Sequence, residues 1–169
     1  MHMLCGRIAA GKSTLAAKLA QAPGTLLISQ DQFLSALYPD ELNTEADYTR
    51  IVPRFRKAMR PHLVALLRHG LSLALDLPAN AVHGRTWMRS IFEEAGAAHV
   101  LHVLDTPVEL CVKRLEQRNA AGTHEYHTTR EQFDELNSYF TLPTEAEGFK
   151  IEWHVPEGGF CLLPGSTES

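Results

Sequence analysis

The chain has 169 residues, 44% of them hydrophobic, and a formal net charge of −4. This is enough for one domain with a full core, so neither disulfides nor a metal is needed to hold it together. The acidic balance excludes a protein coated in nucleic acid and leaves room for one local basic site.

Met3-Leu4-Cys5 is a short apolar run that reads as a first strand. It leads into Gly6-Arg7-Ile8-Ala9-Ala10-Gly11-Lys12-Ser13, which fits the pattern G-x4-G-K-[ST] at every fixed position. Thr14 and residues 15–20 follow and are rich in helix formers. Glycines at both ends of such a loop let the backbone turn tightly and bring its N–H groups close to an anion. The helix that opens at Lys12 adds unpaired N–H groups and the positive end of its dipole. The candidate ATP-binding set is therefore Gly6, Arg7, Ile8, Ala9, Ala10, Gly11, Lys12, Ser13 and Thr14. Lys12 would reach the β- and γ-phosphates, and the Ser13 hydroxyl would sit on Mg2+.

Residues 25–29 are a second strand, ending at Ser29-Gln30-Asp31, with a helix over 32–37. From 44 to 69 the pattern is helical, and Pro53 and Pro61 predict two or three separate pieces, the last starting at Pro61 and capped by Gly70. Residues 71–76 form a third strand, small and apolar enough to be buried on both faces. Pro78-Ala79-Asn80 is a loop, and 83–95 a helix closed by Gly96. Residues 98–104 are the fourth strand. Thr106-Pro107-Val108-Glu109 reads as a capping box for a helix running to about Asn119. A polar loop over 120–128, a helix over 129–139 and a fifth strand over 149–155 complete the chain, before a loop and tail. Strand and helix alternate throughout, which predicts an α/β fold with a parallel sheet covered on both faces. The domain spans 1–160, with a lid near 114–128 and a tail over 161–169.

Cys5, Cys111 and Cys161 are odd in number and widely spaced, which suggests reduced thiols and a cytoplasmic protein. The N-terminus runs straight into the first strand, unlike a signal peptide, and no apolar run approaches the ~20 residues of a membrane span. No obligate protein partner is evident. Of the nine histidines, His99 and His102 fall in a strand-like run, whose alternation sends them to opposite faces. His124 and His127 lie in a loop without cysteine, so neither pair predicts a metal centre.

In an open parallel sheet, ligands gather at the carboxyl ends of the strands. Three of those ends carry an aspartate. Asp31 could take the proton from an attacking substrate hydroxyl, or it could cap the following helix. Asp76 ends the buried strand beside the phosphate loop and suits a Mg2+ ligand; the alternative is a turn aspartate before Pro78. Asp105 reads as a local turn residue. Arg114 and Arg118, four apart on one helix, could close over ATP and neutralise the transferring phosphoryl group, or be solvated surface charge. Arg50, Arg54, Arg56, Lys57 and Arg60 form a basic cluster that could hold an anionic acceptor such as a nucleic-acid end, though an exposed helix face is the plainer reading. Arg85, Trp87 and Arg89 could line the acceptor pocket.

The ordered set resembles the small P-loop kinases of the AAA-33 and zeta-toxin-like group, which includes polynucleotide 5′-hydroxyl kinases and chloramphenicol phosphotransferase. The resemblance rests on residues 6–14, Ser29-Gln30-Asp31, Leu73-Ala74-Leu75-Asp76, Val103-Leu104-Asp105-Thr106-Pro107, the helix bearing Arg114 and Arg118, and Glu147-Gly148-Phe149. It implies a P-loop NTPase three-layer α/β/α fold with a five-stranded parallel sheet in the order 2-3-1-4-5. It also implies that Asp31 is the base and that Arg114 and Arg118 belong to a lid. Two departures fall on the acceptor side: Gln32-Phe33-Leu34 lacks the arginine that many members place after the aspartate, and Leu77-Pro78-Ala79-Asn80 replaces the commoner Ala-Thr. The expected activity is Mg2+-dependent transfer of the ATP γ-phosphate to a hydroxyl of a small molecule. The alternatives are a polynucleotide 5′-hydroxyl kinase and a nucleotide-binding regulatory ATPase without an acceptor. On the main reading, the catalytic residues are Lys12, Asp31, Arg114 and Arg118, and the metal ligands Ser13 and Asp76.

Overall fold

Short apolar strands separated by helices fold here into one parallel sheet. The structure, a computed structural model, describes residues 1–39, 41–42, 44–122 and 128–155. The strands are β1 (His2–Gly6), β2 (Thr25–Ser29), β3 (Ser72–Pro78), β4 (Val100–Leu104) and β5 (Ile151–His154). Their spatial order is β2-β3-β1-β4-β5, as the resemblance implied, and every pairing is parallel. The described helices are α1 (Lys12–Leu19), α2 (Gln30–Leu37), α3 (Glu45–Arg68), α4 (Val82–Ala95), α5 (Val108–Ala121) and α6 (Arg130–Ser138), with a short 3-10 turn at Glu145–Glu147.

Period-two alternation in the strands builds two cores. Met3, Cys5, Leu101 and Val103 face a core shared with α2, α3 and α4. Leu4 and Leu104 face the other side, against Ala16 of α1, Leu115 of α5 and Phe133 of α6. Cys5 and Cys111 are buried free thiols on opposite sides of the sheet. Cys161, the tail over 161–169 and the pair His124 and His127 lie outside the described residues. No described helix is long and apolar enough to cross a membrane.

Four sequence expectations change. First, 45–68 is one helix, not two or three pieces. Pro53 and Pro61 remove the amides that would meet the carbonyls of Thr49 and Lys57, but all four residues are exposed, where water can satisfy those carbonyls. On the opposite stripe Ile51, Val52, Phe55, Leu63, Val64 and Leu67 are buried. Burial at about 1.5–3 kcal/mol per side chain outweighs roughly 3 kcal/mol for each proline. Second, β3 runs on through Pro78, so the loop begins later. Third, the capping box at Thr106 does not form: Pro107 is the N-cap and the Thr106 hydroxyl donates to the Ala10 carbonyl instead (3.2 Å). Fourth, none of Arg85, Trp87 and Arg89 lines the cleft; Trp87 packs against the core and Arg89 lies over the Phe149 ring, while Arg85 serves the fold. Arg85 is fully buried, gripping Glu147 with Nε and Nη2 (2.6 and 2.9 Å) and donating from Nη1 to the carbonyls of Ala79 and Thr141.

Arg85 is thus a strut between α4 and the segment before β5. Its hydrogen bonds hold the Glu147 carboxyl below the usual carboxylate range. The stability this contributes is present above the unfolded pKa and is lost as pH falls through the lowered one. Glu147→Gln would leave a buried guanidinium without its counter-charge, at a cost of about 3–5 kcal/mol. Thermal unfolding should show a melting temperature lower by roughly 6–20 °C; an unchanged melting temperature would mean that the strut carries no stability.

The histidines are ordered by the sheet. His102 is buried on β4 and shares hydrogen bonds with His2 (3.0 Å) and His154 (2.9 Å) across three adjacent strands. Burial pushes its pKa down to about 4, so the ring is neutral in neutral solution. His99 stacks on Phe92 with ring centroids 3.9 Å apart.

Candidate functional site

The phosphate loop is shaped by its own backbone and held from outside. Ala9 (φ 58°) and Gly11 (φ 106°) are left-handed, and the Ala10 amide donates to the Arg7 carbonyl (3.2 Å). Turns of this kind point successive N–H groups into one concavity. α1 then opens at Lys12 with no side-chain cap and no acid in its first turn, which leaves its amide end available to an anion. Lys12 Nζ donates to the carbonyls of Gly6 and Arg7 (2.7 Å each). Three side chains from distant segments clamp the loop. Asn80 Oδ1 accepts from the Gly6 amide (3.0 Å), and Thr106 Oγ1 and Arg114 Nη1 both donate to the Ala10 carbonyl (3.2 Å each).

Gly6 is required for closeness, not for an unusual φ. A Cβ there would lie 2.9 Å from the Leu104 carbonyl oxygen and 3.2 Å from Leu104 Cβ. Gly6→Ala must therefore push the loop off β4. It should cost about 1–3 kcal/mol in thermal unfolding and weaken nucleotide binding in a calorimetric titration. Wild-type values for both would contradict the close packing.

The remaining candidates arrange themselves around this loop. Ser13 Oγ donates to Asp76 Oδ1 (3.1 Å), so the hydroxyl and the carboxylate are neighbours. Asp76 stands opposite Ser29 of β2, where the pairing of β3 with β1 shifts register: Met3 pairs with Leu75, but Leu4 with Pro78. Such irregularities re-aim side chains next to sites. Asp31 sits in the first turn of α2, whose N-cap is Ser29, not Asp31. The capping alternative for Asp31 therefore falls away. Arg7 turns to Asp105 (3.5 Å) and lies over the Phe140 ring (4.7 Å).

One cleft of about 1350 Å³ takes in residues 8–15, Asp31, Asp76, Arg114 and Arg118. That exceeds the 300–1,000 Å³ typical of a single small ligand and leaves space for two. Burial pushes the Lys12 ammonium down to about 8, with Asp76 acting in the opposite direction. The cleft also includes Tyr48, Arg56 and His83. Arg118 lines the cleft from the last turn of α5, while 123–127 of the expected lid lie outside the described residues.

The basic cluster at 50–60 divides. Arg50 pairs with Asp47 (3.4 Å), and Arg60 with Glu94 (2.6 Å) and Ser90. Arg54 and Lys57 are exposed, and only Arg56 of the five lines the cleft. Sequence reasoning missed the clamps at Asn80 and Thr106. Asn80 lay in a segment that departs from the related kinases, and that departure was the one available signal.

A family model described as an AAA domain, AAA_33, matches residues 1–143. A search of curated proteins gave no match. Solved structures with the same architecture include a sugar kinase from Janibacter sp. HTCC2649 (TM-score 0.64, 15% identity, 91% of this chain and 83% of that one). The APS kinase CysC of Mycobacterium tuberculosis, in complex with AMPPNP and APS, has a TM-score of 0.57 and 19% identity over 94% of this chain and 88% of that one. A chain of the Pnkp1/Rnl/Hen1 RNA repair complex matches 82% of this chain and 42% of that one (TM-score 0.64, 22% identity). At these identities the likenesses show the fold alone: a parallel α/β fold shared with these kinases.

Proposed function

Because this chain belongs to the AAA_33 family, we propose that it is an ATP- and Mg2+-dependent phosphotransferase acting on a hydroxyl of a small molecule. One observation carries this reading: Asp31 and the Ser13–Asp76 pair open into the same cleft as the phosphate loop. The loop amides, Lys12, Arg114 and Arg118 would hold the triphosphate. Ser13 and Asp76 offer the hard oxygen donors that suit Mg2+, which when bound would neutralise charge on the phosphates. Asp31 would accept the proton of the acceptor hydroxyl as its oxygen attacks the γ-phosphorus. The bond from that phosphorus to the β–γ bridging oxygen breaks, and ADP leaves with the electron pair. Positioning and charge neutralisation do most of the work. The APS kinase relative, with AMPPNP and APS bound, speaks for a cleft that takes a nucleotide and an acceptor together.

A small acceptor is favoured over a polynucleotide end because Arg50 and Arg60 are tied to acids, which leaves little of a continuous basic track. The test is γ-labelled ATP with Mg2+ and a panel of hydroxyl compounds and 5′-hydroxyl oligonucleotides. Labelled small-molecule product is expected. Product on oligonucleotides alone would move the acceptor to a nucleic-acid end. ATP hydrolysis with no labelled product from any class would overturn the kinase reading in favour of a regulatory ATPase.

A further inference from the structure

We propose that the acceptor carries an anionic group, a phosphate or a carboxylate, held by the Arg56 guanidinium over Trp87 on the acceptor side of the cleft. The inference rests on the phosphotransferase reading and names its substrate class. Arg56 projects from α3 into the cleft, with its guanidinium carbon 5.3 Å from the centroid of the Trp87 ring. Its Nε is buried and has no hydrogen-bond partner among the described residues, and no described acid lies within ion-pair distance. Arg56 as a whole is half-buried; the fully buried arginine, Arg85, shows what a satisfied guanidinium looks like here: a bidentate carboxylate and backbone carbonyls. A buried donor left without a partner is costly, and an anion reaching the Arg56 fork would satisfy it. Burial pushes Arg56 below its usual range, with Tyr48 acting the other way.

The surroundings leave room for an oxyanion. Gly84 presents no side chain; a Cβ there would lie 3.3 Å from the Pro78 carbonyl oxygen and 3.9 Å from Arg56 Nη1. α4 begins beside it with no side-chain cap, and His83 and Gly84 of its first turn line the cleft. The Trp87 ring beneath the guanidinium carbon supports it from one side, and a guanidinium fork can meet two oxygens of one anion.

Two measurements on the full chain test this. In protein saturated with Mg2+ and a non-hydrolysable ATP analogue, inorganic phosphate and acetate are titrated calorimetrically into wild type, Arg56→Gln, Arg56→Lys and the exposed control Arg54→Gln. Saturable binding is expected in wild type and Arg54→Gln, weakened by about tenfold or more in Arg56→Gln and less in Arg56→Lys. Transfer from labelled ATP to glycerol, glycerol phosphate and glycerate should favour an anionic member by about tenfold in kcat/KM, and Arg56→Gln should erase the preference. The phosphate and carboxylate arms tell the two anions apart. Arg56→Gln should not lower the melting temperature, because it removes a half-buried charge that makes no ion pair among the described residues; a clear loss would make Arg56 structural and overturn the proposal. Anion binding unchanged in Arg56→Gln, or absent from wild type at millimolar concentration, also overturns it. If no acceptor is phosphorylated at all, the kinase reading fails, while the calorimetric arm still decides whether Arg56 holds an anion.

Discussion

Replacing Lys12 with alanine is expected to lower phosphoryl transfer by at least about 10²–10³-fold, the usual loss when one preorganised charge-stabilising donor is removed. In the structure described above, Lys12 spends its ammonium on the carbonyls of Gly6 and Arg7. Nucleotide phosphates would compete for it, and they are much the better partner because they are charged. The lowered pKa of about 8 adds a second readout. Phosphates raise the pKa of a neighbouring ammonium, so above about pH 8 nucleotide binding must take up a proton. Below that pH the lysine is already charged and no uptake is needed. Nucleotide affinity in wild type should therefore decline as pH rises through 8, and calorimetry in buffers of different ionisation heat should register the uptake. Lys12→Ala should bind weakly and lose that pH dependence. Wild-type transfer in the variant, or a pH dependence that survives it, would remove Lys12 from the phosphate site.

Asp31→Asn is expected to lower transfer by about 10²–10⁴-fold, the range for loss of a general base, and to leave nucleotide affinity close to wild type. Asparagine keeps the size of the side chain and gives up its proton-accepting charge. The usual worry with such a variant is a damaged helix, but α2 is capped by Ser29, and Asp31 adds its charge only to the first turn, worth about 0.3–1 kcal/mol. Melting temperature should fall by no more than a few degrees. Full transfer by Asp31→Asn would sink the base assignment, while joint loss of ATP binding and transfer would place Asp31 on the donor side instead. Together the two variants separate the halves of the site: Lys12→Ala acts on donor binding, Asp31→Asn on the chemistry of the acceptor.

The phosphate loop was legible because its information is local. Gly6, Gly11, Lys12 and Ser13 act through backbone geometry and a helix start, which depend on residues a few positions away. The strands were legible for the same reason, with ends misplaced by one or two residues. Helix α3 was misread because proline is a local signal, while the packing of Phe55 and Leu63 that overrides it is not. Thr106 was misread likewise: it has the right spacing for a cap, yet its hydroxyl finds Ala10, 96 positions away.

What the sequence determined by itself is the donor half of the site and the alternation that builds a parallel sheet, both written in neighbouring residues. Tertiary structure alone decided which groups meet across long separations. Asn80 clamps Gly6, Arg85 closes on Glu147, and of the five basic residues between 50 and 60 only Arg56 lines the cleft. The reason is physical. The helix carries its charges on the sides away from its buried apolar stripe, and only the packing of α3 against α4 and the sheet decides which of them turns into the cleft. Pairing with Asp47 and Glu94 removes Arg50 and Arg60 from consideration, and no spacing rule along the chain contains those contacts.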